Sequence, residues 1–183
     1  MEGIRKAVFI DRDDTLCIDV PYCRDPKDLR LFPGAGEAVK KLNDAGFIIV
    51  IITNQSGIAR GYLTEEDLAQ IHEKMKKDLE KVGARVDGIY YCPHHPNDKC
   101  DCRKPSPFMV QKAAQDLGLS LERSYVVGDR LMDVQLARNA NSKAILVKPP
   151  HPLEEFKEAA KNADHVSINL TDAVDWILAQ QNK

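Results

Sequence analysis

Charge of one sign is never concentrated in this 183-residue chain: Lys and Arg number 26, Asp and Glu 28, and the net is −2. No basic run exceeds two residues, which excludes nucleic acid or an anionic membrane surface as the main partner. Long apolar stretches are missing too, and with them any membrane-spanning segment. Met1-Glu2-Gly3-Ile4-Arg5-Lys6 runs straight into the first apolar segment. That leaves no room for a signal peptide and predicts a cytoplasmic protein. In a reducing compartment the five cysteines are expected as metal ligands or free thiols rather than disulfides. No internal repeat, linker or low-complexity segment is present, so residues 1–183 read as a single domain. A domain of this size buries roughly 70% of its unfolded surface.

What is present is alternation. Ala7-Val8-Phe9-Ile10 is an apolar run closed by Asp11, and Phe47 to Ile52 is a second. Gly88 to Tyr91, Tyr125 to Val127, Ala144 to Val147 and a weaker His165 to Ile168 follow. Runs this short, apolar on both faces and stopped by polar residues, predict buried parallel strands. Helix patterns lie between them. Pro33-Gly34 opens one that carries Ala38, Val39 and Leu42 and stops at Gly46. Thr64 with Asp67 three residues on has the form of a capping box. The helix behind it stripes Leu68, Ile71, Met75, Leu79 and Val82 until Gly83. Ser106-Pro107 starts a third helix, running to about Gly118. Met132 to Ala140 makes a fourth, Leu153 to Ala160 a fifth after the Pro149-Pro150 break, and Thr171 caps the last. Such alternation predicts an α/β fold, a doubly wound parallel sheet with helices on both faces. Ligands of these folds gather beyond the carboxyl ends of the strands.

Every polar cluster follows a strand. Asp11 and Asp13 lie two apart behind the first, so on a continuing strand they would share a face. Thr53 ends the second, Lys104 follows the third, and Asp129 with Asp133 follows the fourth. Four acids in one crevice repel one another unless a cation intervenes, and all-oxygen ligation suits magnesium. Carboxylates, a hydroxyl, an ammonium and a divalent cation form a phosphate-handling set. Magnesium and lysine neutralise phosphoryl oxygens, threonine donates to one, and a carboxylate is free to attack phosphorus.

Asp11-x-Asp13-x-Thr15, Thr53, Lys104-Pro105 and Gly128-Asp129-x-x-x-Asp133 together resemble the haloacid dehalogenase superfamily of phosphatases, over about residues 7 to 148. The resemblance implies the Rossmann-like fold of that superfamily. It implies Asp11 as the nucleophile that forms an aspartyl-phosphate. Asp13 would be the acid/base, protonating the leaving alcohol and then activating water. Thr53 and Lys104 would hold the phosphoryl group. Magnesium would bind Asp11, the backbone carbonyl of Asp13, and Asp129, with Asp133 in support. One position departs from the pattern: Asp14 stands where the superfamily usually has glycine, which reaches positive φ more freely. Lowered turnover is the expectation there.

Cys92-x-His94-x5-Cys100-x-Cys102 offers three thiolates and an imidazole within eleven residues, which suits a closed tetrahedral structural zinc site. His95 is the rival imidazole. Cys17 and Cys23 lie elsewhere and read as free thiols, and His72, His151 and His165 as surface or core residues. Within the superfamily, the zinc loop with the strings Thr53 to Gly61 and Asp87 to Pro96 resembles the histidinol-phosphate and heptose-bisphosphate phosphatases.

Between Asp13 and Thr53 there is room for a loop, one helix and one strand, so the enzyme is expected to be capless. Recognition must then come from loops: Asp19 and Tyr22, then Asn54, Gln55 and Ser56, then Arg103, and finally Arg130. Arginines suit a second phosphate through their planar fork. The resemblance to that branch of phosphatases implies a small phosphorylated sugar as partner, hydrolysed at its C7 phosphate, and the enzyme is expected as a monomer. Hydrolysis of histidinol phosphate, or phosphate binding by a low-activity scaffold, stand as the alternatives.

Overall fold

The computed structural model describes residues 5–151 and 153–182. The Met1–Ile4 part of the N-terminal lead-in lies outside them. Six strands, β1 (Ala7–Ile10), β2 (Ile48–Asn54), β3 (Gly88–Cys92), β4 (Tyr125–Gly128), β5 (Lys143–Val147) and β6 (His165–Ser167), form one sheet in the order β3-β2-β1-β4-β5-β6. All pairings are parallel, with Phe9 opposite Val50 on one side and Val126 on the other. The sheet grows outward from β1 in both directions, so the chain switches sides between β3 and β4. A crevice opens beyond the carboxyl ends at such a switch point.

Alternation along β1 splits the core in two. Val8 and Ile10 pack on one face with α1 (Ala35–Asp44), α2 (Glu65–Glu80) and α6 (Leu170–Ala179). Ala7 and Phe9 pack on the other with α3 (Phe108–Leu117), α4 (Leu131–Asn139) and α5 (Phe156–Asn162). All four β1 side chains are fully buried, as a strand covered on both faces requires. The capping box at Thr64 is formed in full, with the Asp67 amide on the Thr64 hydroxyl and the Thr64 amide on the Asp67 carboxylate.

Boundaries move where local chemistry decides. β2 runs two residues beyond Ile52, so Thr53 and Asn54 pair in the sheet with Tyr91 and Cys92. β6 stops at Ser167, one residue early, and α2 ends at Glu80 ahead of Gly83. The last helix is capped by Asn169 rather than Thr171: Asn169 has extended backbone and its side chain accepts from the Asp172 amide at 2.9 Å. The fifth helix starts at Phe156, three residues later than its apolar pattern suggests. Between β1 and β2 stand a loop, a single 3-10 turn (Pro26–Asp28) and α1, and no cap. Among the described residues no helix is long and apolar enough to cross a membrane.

Candidate active site

The carboxyl ends of β1, β2 and β4 and the loop after β3 surround a cavity of about 450 Å³. Its lining includes Asp11, Asp13, Thr53 and Lys104 together with Asp19, Tyr22, Asn54, Gln55, Ser56, Arg103 and Arg130. Residues from four separate segments therefore meet in one place. Asp129 and Asp133 sit beneath, 1% and 2% exposed.

Lys104 ties the floor together. Its Nζ lies 2.8 Å from Asp11 Oδ1 and 2.7 Å from Asp133 Oδ1, and donates to the Ile52 carbonyl at 3.3 Å. Burial works against its charge, but the two carboxylates more than offset it and raise its pKa, so it stays an ammonium. The second oxygen of Asp133 accepts from the Arg130 amide at 3.1 Å. Gly128 makes this possible: a Cβ there would stand 2.3 Å from the Asp133 carboxyl.

The acids carry the cost of crowding. Burial first, then Asp133 beside it, pushes the Asp129 carboxyl up to about 7. Asp11 is raised well above the usual carboxylate range by burial, with Asp133, Asp129 and Asp13 adding to what Lys104 offsets. Asp11, Asp129 and Asp133 offer oxygens within 4.8 Å of one another. Asp129 Oδ2 is buried with no hydrogen-bond partner, the Arg130 Nε coming only to 3.9 Å, while Oδ1 receives a 3.5 Å contact from the Thr15 hydroxyl. An orphaned carboxylate oxygen amid like charges fits a hard divalent cation.

Asp13 behaves differently from the expectation of a continuing strand. The chain turns after Ile10, and the Asp13 carboxylate is clamped by Arg12, Nε to Oδ1 at 2.9 Å and Nη2 to Oδ2 at 3.0 Å. Gln55 Nε2 adds a bond to Asp13 Oδ2 at 2.9 Å and another to Thr53 Oγ1 at 2.8 Å. Because Thr53 accepts from Gln55, its own hydroxyl hydrogen is free to donate. Arg12 is itself buried, and its Nη1 lies 3.5 Å from Nε2 of His72. Asn54 faces the cavity but bonds the Lys104 backbone, accepting from its amide at 3.1 Å and donating to its carbonyl at 3.4 Å. That pair stitches the end of β2 to the loop carrying Lys104.

Asp14 has φ 57, so the position does need the left-handed region that glycine favours, and aspartate occupies it. The pocket also holds residues that sequence reasoning missed, chiefly Arg60, Pro96 and Met132. Arg60 lies inside the Thr53 to Gly61 string, and counting guanidiniums after β2 would have found it. Arg103 Nη1 is buried without a partner. Arg60, Arg103 and Arg130 thus share the cavity with the Arg12 that clamps Asp13, and one guanidinium nitrogen among them, Arg103 Nη1, has no hydrogen-bond partner.

Beside the cavity, Cys92, His94, Cys100 and Cys102 bring four donor atoms within 4.8 Å. Their separations run from 3.0 Å for Cys102 Sγ to Cys92 Sγ and 3.2 Å for His94 Nδ1 to Cys102 Sγ, through 3.5 Å for Cys92 Sγ to His94 Nδ1, to 3.7 Å for Cys92 Sγ to Cys100 Sγ, so the set is somewhat tighter than an occupied site. Zinc–sulfur bonds of about 2.3 Å set the edge of a tetrahedron at about 3.8 Å, so this donor set fits zinc. His95 stands apart, its Nδ1 accepting from the Asn97 amide. Cys17 and Cys23 are buried free thiols remote from the cluster.

Comparison with known proteins agrees with this geometry. A HAD-hydrolase-like family profile matches residues 101–173. The D-glycero-β-D-manno-heptose-1,7-bisphosphate 7-phosphatase of Haemophilus ducreyi is 44% identical over 181 residues, spanning 94% of this chain and 98% of that protein. The enzyme of the same name from Escherichia coli K12 is 39% identical over 183 residues, spanning 96% and 95%. A crystal structure of D,D-heptose 1,7-bisphosphate phosphatase from B. bronchiseptica, complexed with magnesium and phosphate, superposes with a TM-score of 0.84 at 31% identity, over 97% of this chain and 99% of that one. Fold and site define a HAD-like phosphatase, a class of metal-dependent hydrolases. More narrowly, the chain belongs to the D-glycero-β-D-manno-heptose-1,7-bisphosphate 7-phosphatase family.

Proposed function

We propose that this chain, as a single catalytic domain, removes the C7 phosphate of D-glycero-D-manno-heptose 1,7-bisphosphate through an aspartyl-phosphate on Asp11. The observation that carries the reading is the meeting of Asp11, Asp13, Thr53 and Lys104 in one crevice of a chain about 40% identical to enzymes of that name. Asp11 and Asp129, with the Asp13 backbone, would hold magnesium, which when bound neutralises the acids and the phosphoryl oxygens. Zinc at Cys92, His94, Cys100 and Cys102 would fix the loop that delivers Arg103 and Lys104.

Both hydrogen bonds to Asp11, from the Arg12 amide and from Lys104, fall on Oδ1 and leave Oδ2 for attack. Oδ2 forms a bond to the 7-phosphorus as the bond to the sugar oxygen breaks, and Asp13 gives that oxygen the proton it regains from water later in each turnover. Asp13 then takes a proton from water, the water oxygen bonds to phosphorus, and the acyl-phosphate bond breaks to release phosphate and restore Asp11. Thr53 donates to a phosphoryl oxygen while Lys104 neutralises another. Arg60, Arg103 and Arg130 favour an anionic far end over the ammonium of histidinol phosphate by charge alone. Phosphorus NMR tests the assignment. With magnesium, one equivalent of phosphate should be released and the 1-phosphate should remain; loss of the 1-phosphate, or no release, would contradict it.

A further inference from the structure

Asp14 performs no step above, yet it occupies a left-handed backbone position at the edge of the cavity and lines it. Its Oδ1 accepts from the Asp19 amide at 3.1 Å. Asp19 opens the segment 19–22, whose four residues all line the cavity. Among the described residues this segment makes two main-chain hydrogen bonds: the one from Asp19 to Asp14, and one from the Cys23 amide to the Val20 carbonyl. At its far end Tyr22, itself at φ 52, packs on Gly57, where a Cβ would approach its ring to 2.9 Å, and on Tyr62 with ring centroids 4.5 Å apart. The segment is therefore held by aromatic packing at Tyr22 and by Val20 packed on the core, while at its Asp19 end the Asp14 carboxylate supplies the hydrogen bond. Glycine would satisfy the backbone at position 14 but has no acceptor to offer.

We propose that Asp14 is a positioning residue for specificity, anchoring the 19–22 loop against the non-reacting end of the sugar bisphosphate. This rests on the substrate reading above. Asparagine and glycine both reach positive φ with little strain, and only asparagine keeps the acceptor, so the pair separates anchoring from backbone freedom. The test uses the full chain with magnesium and zinc, as wild type, Asp14→Gly and Asp14→Asn. Exchange of the Asp19 amide is followed by NMR, and kcat and KM are measured on heptose 1,7-bisphosphate and on a small aryl phosphate. Asp14→Gly should speed exchange at Asp19 and raise KM for the bisphosphate, each on the order of tenfold, the scale of one charge-assisted hydrogen bond. Its effect on the aryl phosphate should be several times smaller. Asp14→Asn should stay within about twofold of wild type in all three measurements, a margin well below the loss of one hydrogen bond. Unchanged exchange in Asp14→Gly, equal KM changes on both substrates, or an Asn variant that behaves as Gly would each overturn the proposal. A wild-type enzyme inert on the bisphosphate would instead overturn the substrate reading, while the exchange measurement still decides whether Asp14 anchors the loop.

Discussion

Asp11 is held by Lys104 and the Arg12 amide on one oxygen and is pushed well above the normal carboxylate range by burial. Replacing it with asparagine removes the attacking oxygen and relieves a buried charge at once. Asp11→Asn should therefore abolish turnover while circular dichroism and Tm stay near wild type; near wild-type activity with magnesium present would end the covalent mechanism. Asp13→Asn should lose the proton transfer, about 10²–10⁴-fold in kcat. His72 gives a residue-scale prediction about pH. Burial first, then Arg12, lowers its pKa from 6.5 to about 3, so it stays neutral in the folded protein. As pH falls below 6.5 the unfolded chain takes up a proton at this site that the folded chain refuses, so stability is lost between pH 6.5 and 3, by up to about 1.4 kcal/mol per pH unit. Denaturant titrations at pH 7 and pH 5 should show His72→Gln losing less stability across that interval than wild type. Equal losses would mean His72 is not a buried neutral group. The place of Asp11, Asp13 and Thr53 at the crevice was legible in the sequence because each follows an apolar run, and that of Lys104 because it stands before Pro105 in the loop after the third run. The Arg12 clamp on Asp13 and the Asn54 stitch to Lys104 were not, since both depend on a turn and a long-range approach that no local pattern encodes.

At the scale of elements, the 92–102 loop and Asn54 together set the position of Lys104, because Cys102 stands two residues before it and Asn54 bonds its backbone. Four donors within 4.8 Å at the end of β3 could hold one metal ion between three thiols and an imidazole. Purified protein should carry about one equivalent of zinc through dialysis, as closed four-ligand sites do. Cys100→Ser should lower zinc content, Tm and activity together. Zinc below about a tenth of an equivalent in elemental analysis would contradict the tight closed site. Element identity was readable throughout from apolar runs and helical stripes. Boundaries were readable only where a cap declares itself, as at Thr64 with Asp67; at the sixth helix two candidate caps, Asn169 and Thr171, sit two residues apart and only backbone geometry chooses.

On the scale of the whole molecule, alternating strands and helices announce a doubly wound sheet, but the order β3-β2-β1-β4-β5-β6 is a property of three-dimensional packing. That order puts β1 at the switch point and makes the strand-end clusters converge. With no cap between β1 and β2, the cavity is closed only by loops, and its arginines at 60, 103 and 130 are expected to decide which phosphate ester is preferred. Charge-assisted contacts of this kind are worth on the order of 1.5–3 kcal/mol each, so a second phosphate should dominate the choice of substrate. The most direct measurement is kcat/KM for heptose 1,7-bisphosphate against histidinol phosphate, with magnesium and zinc saturating. A preference for the bisphosphate of at least about tenfold, the equivalent of one such contact, is the predicted result. A higher kcat/KM for histidinol phosphate would contradict the account.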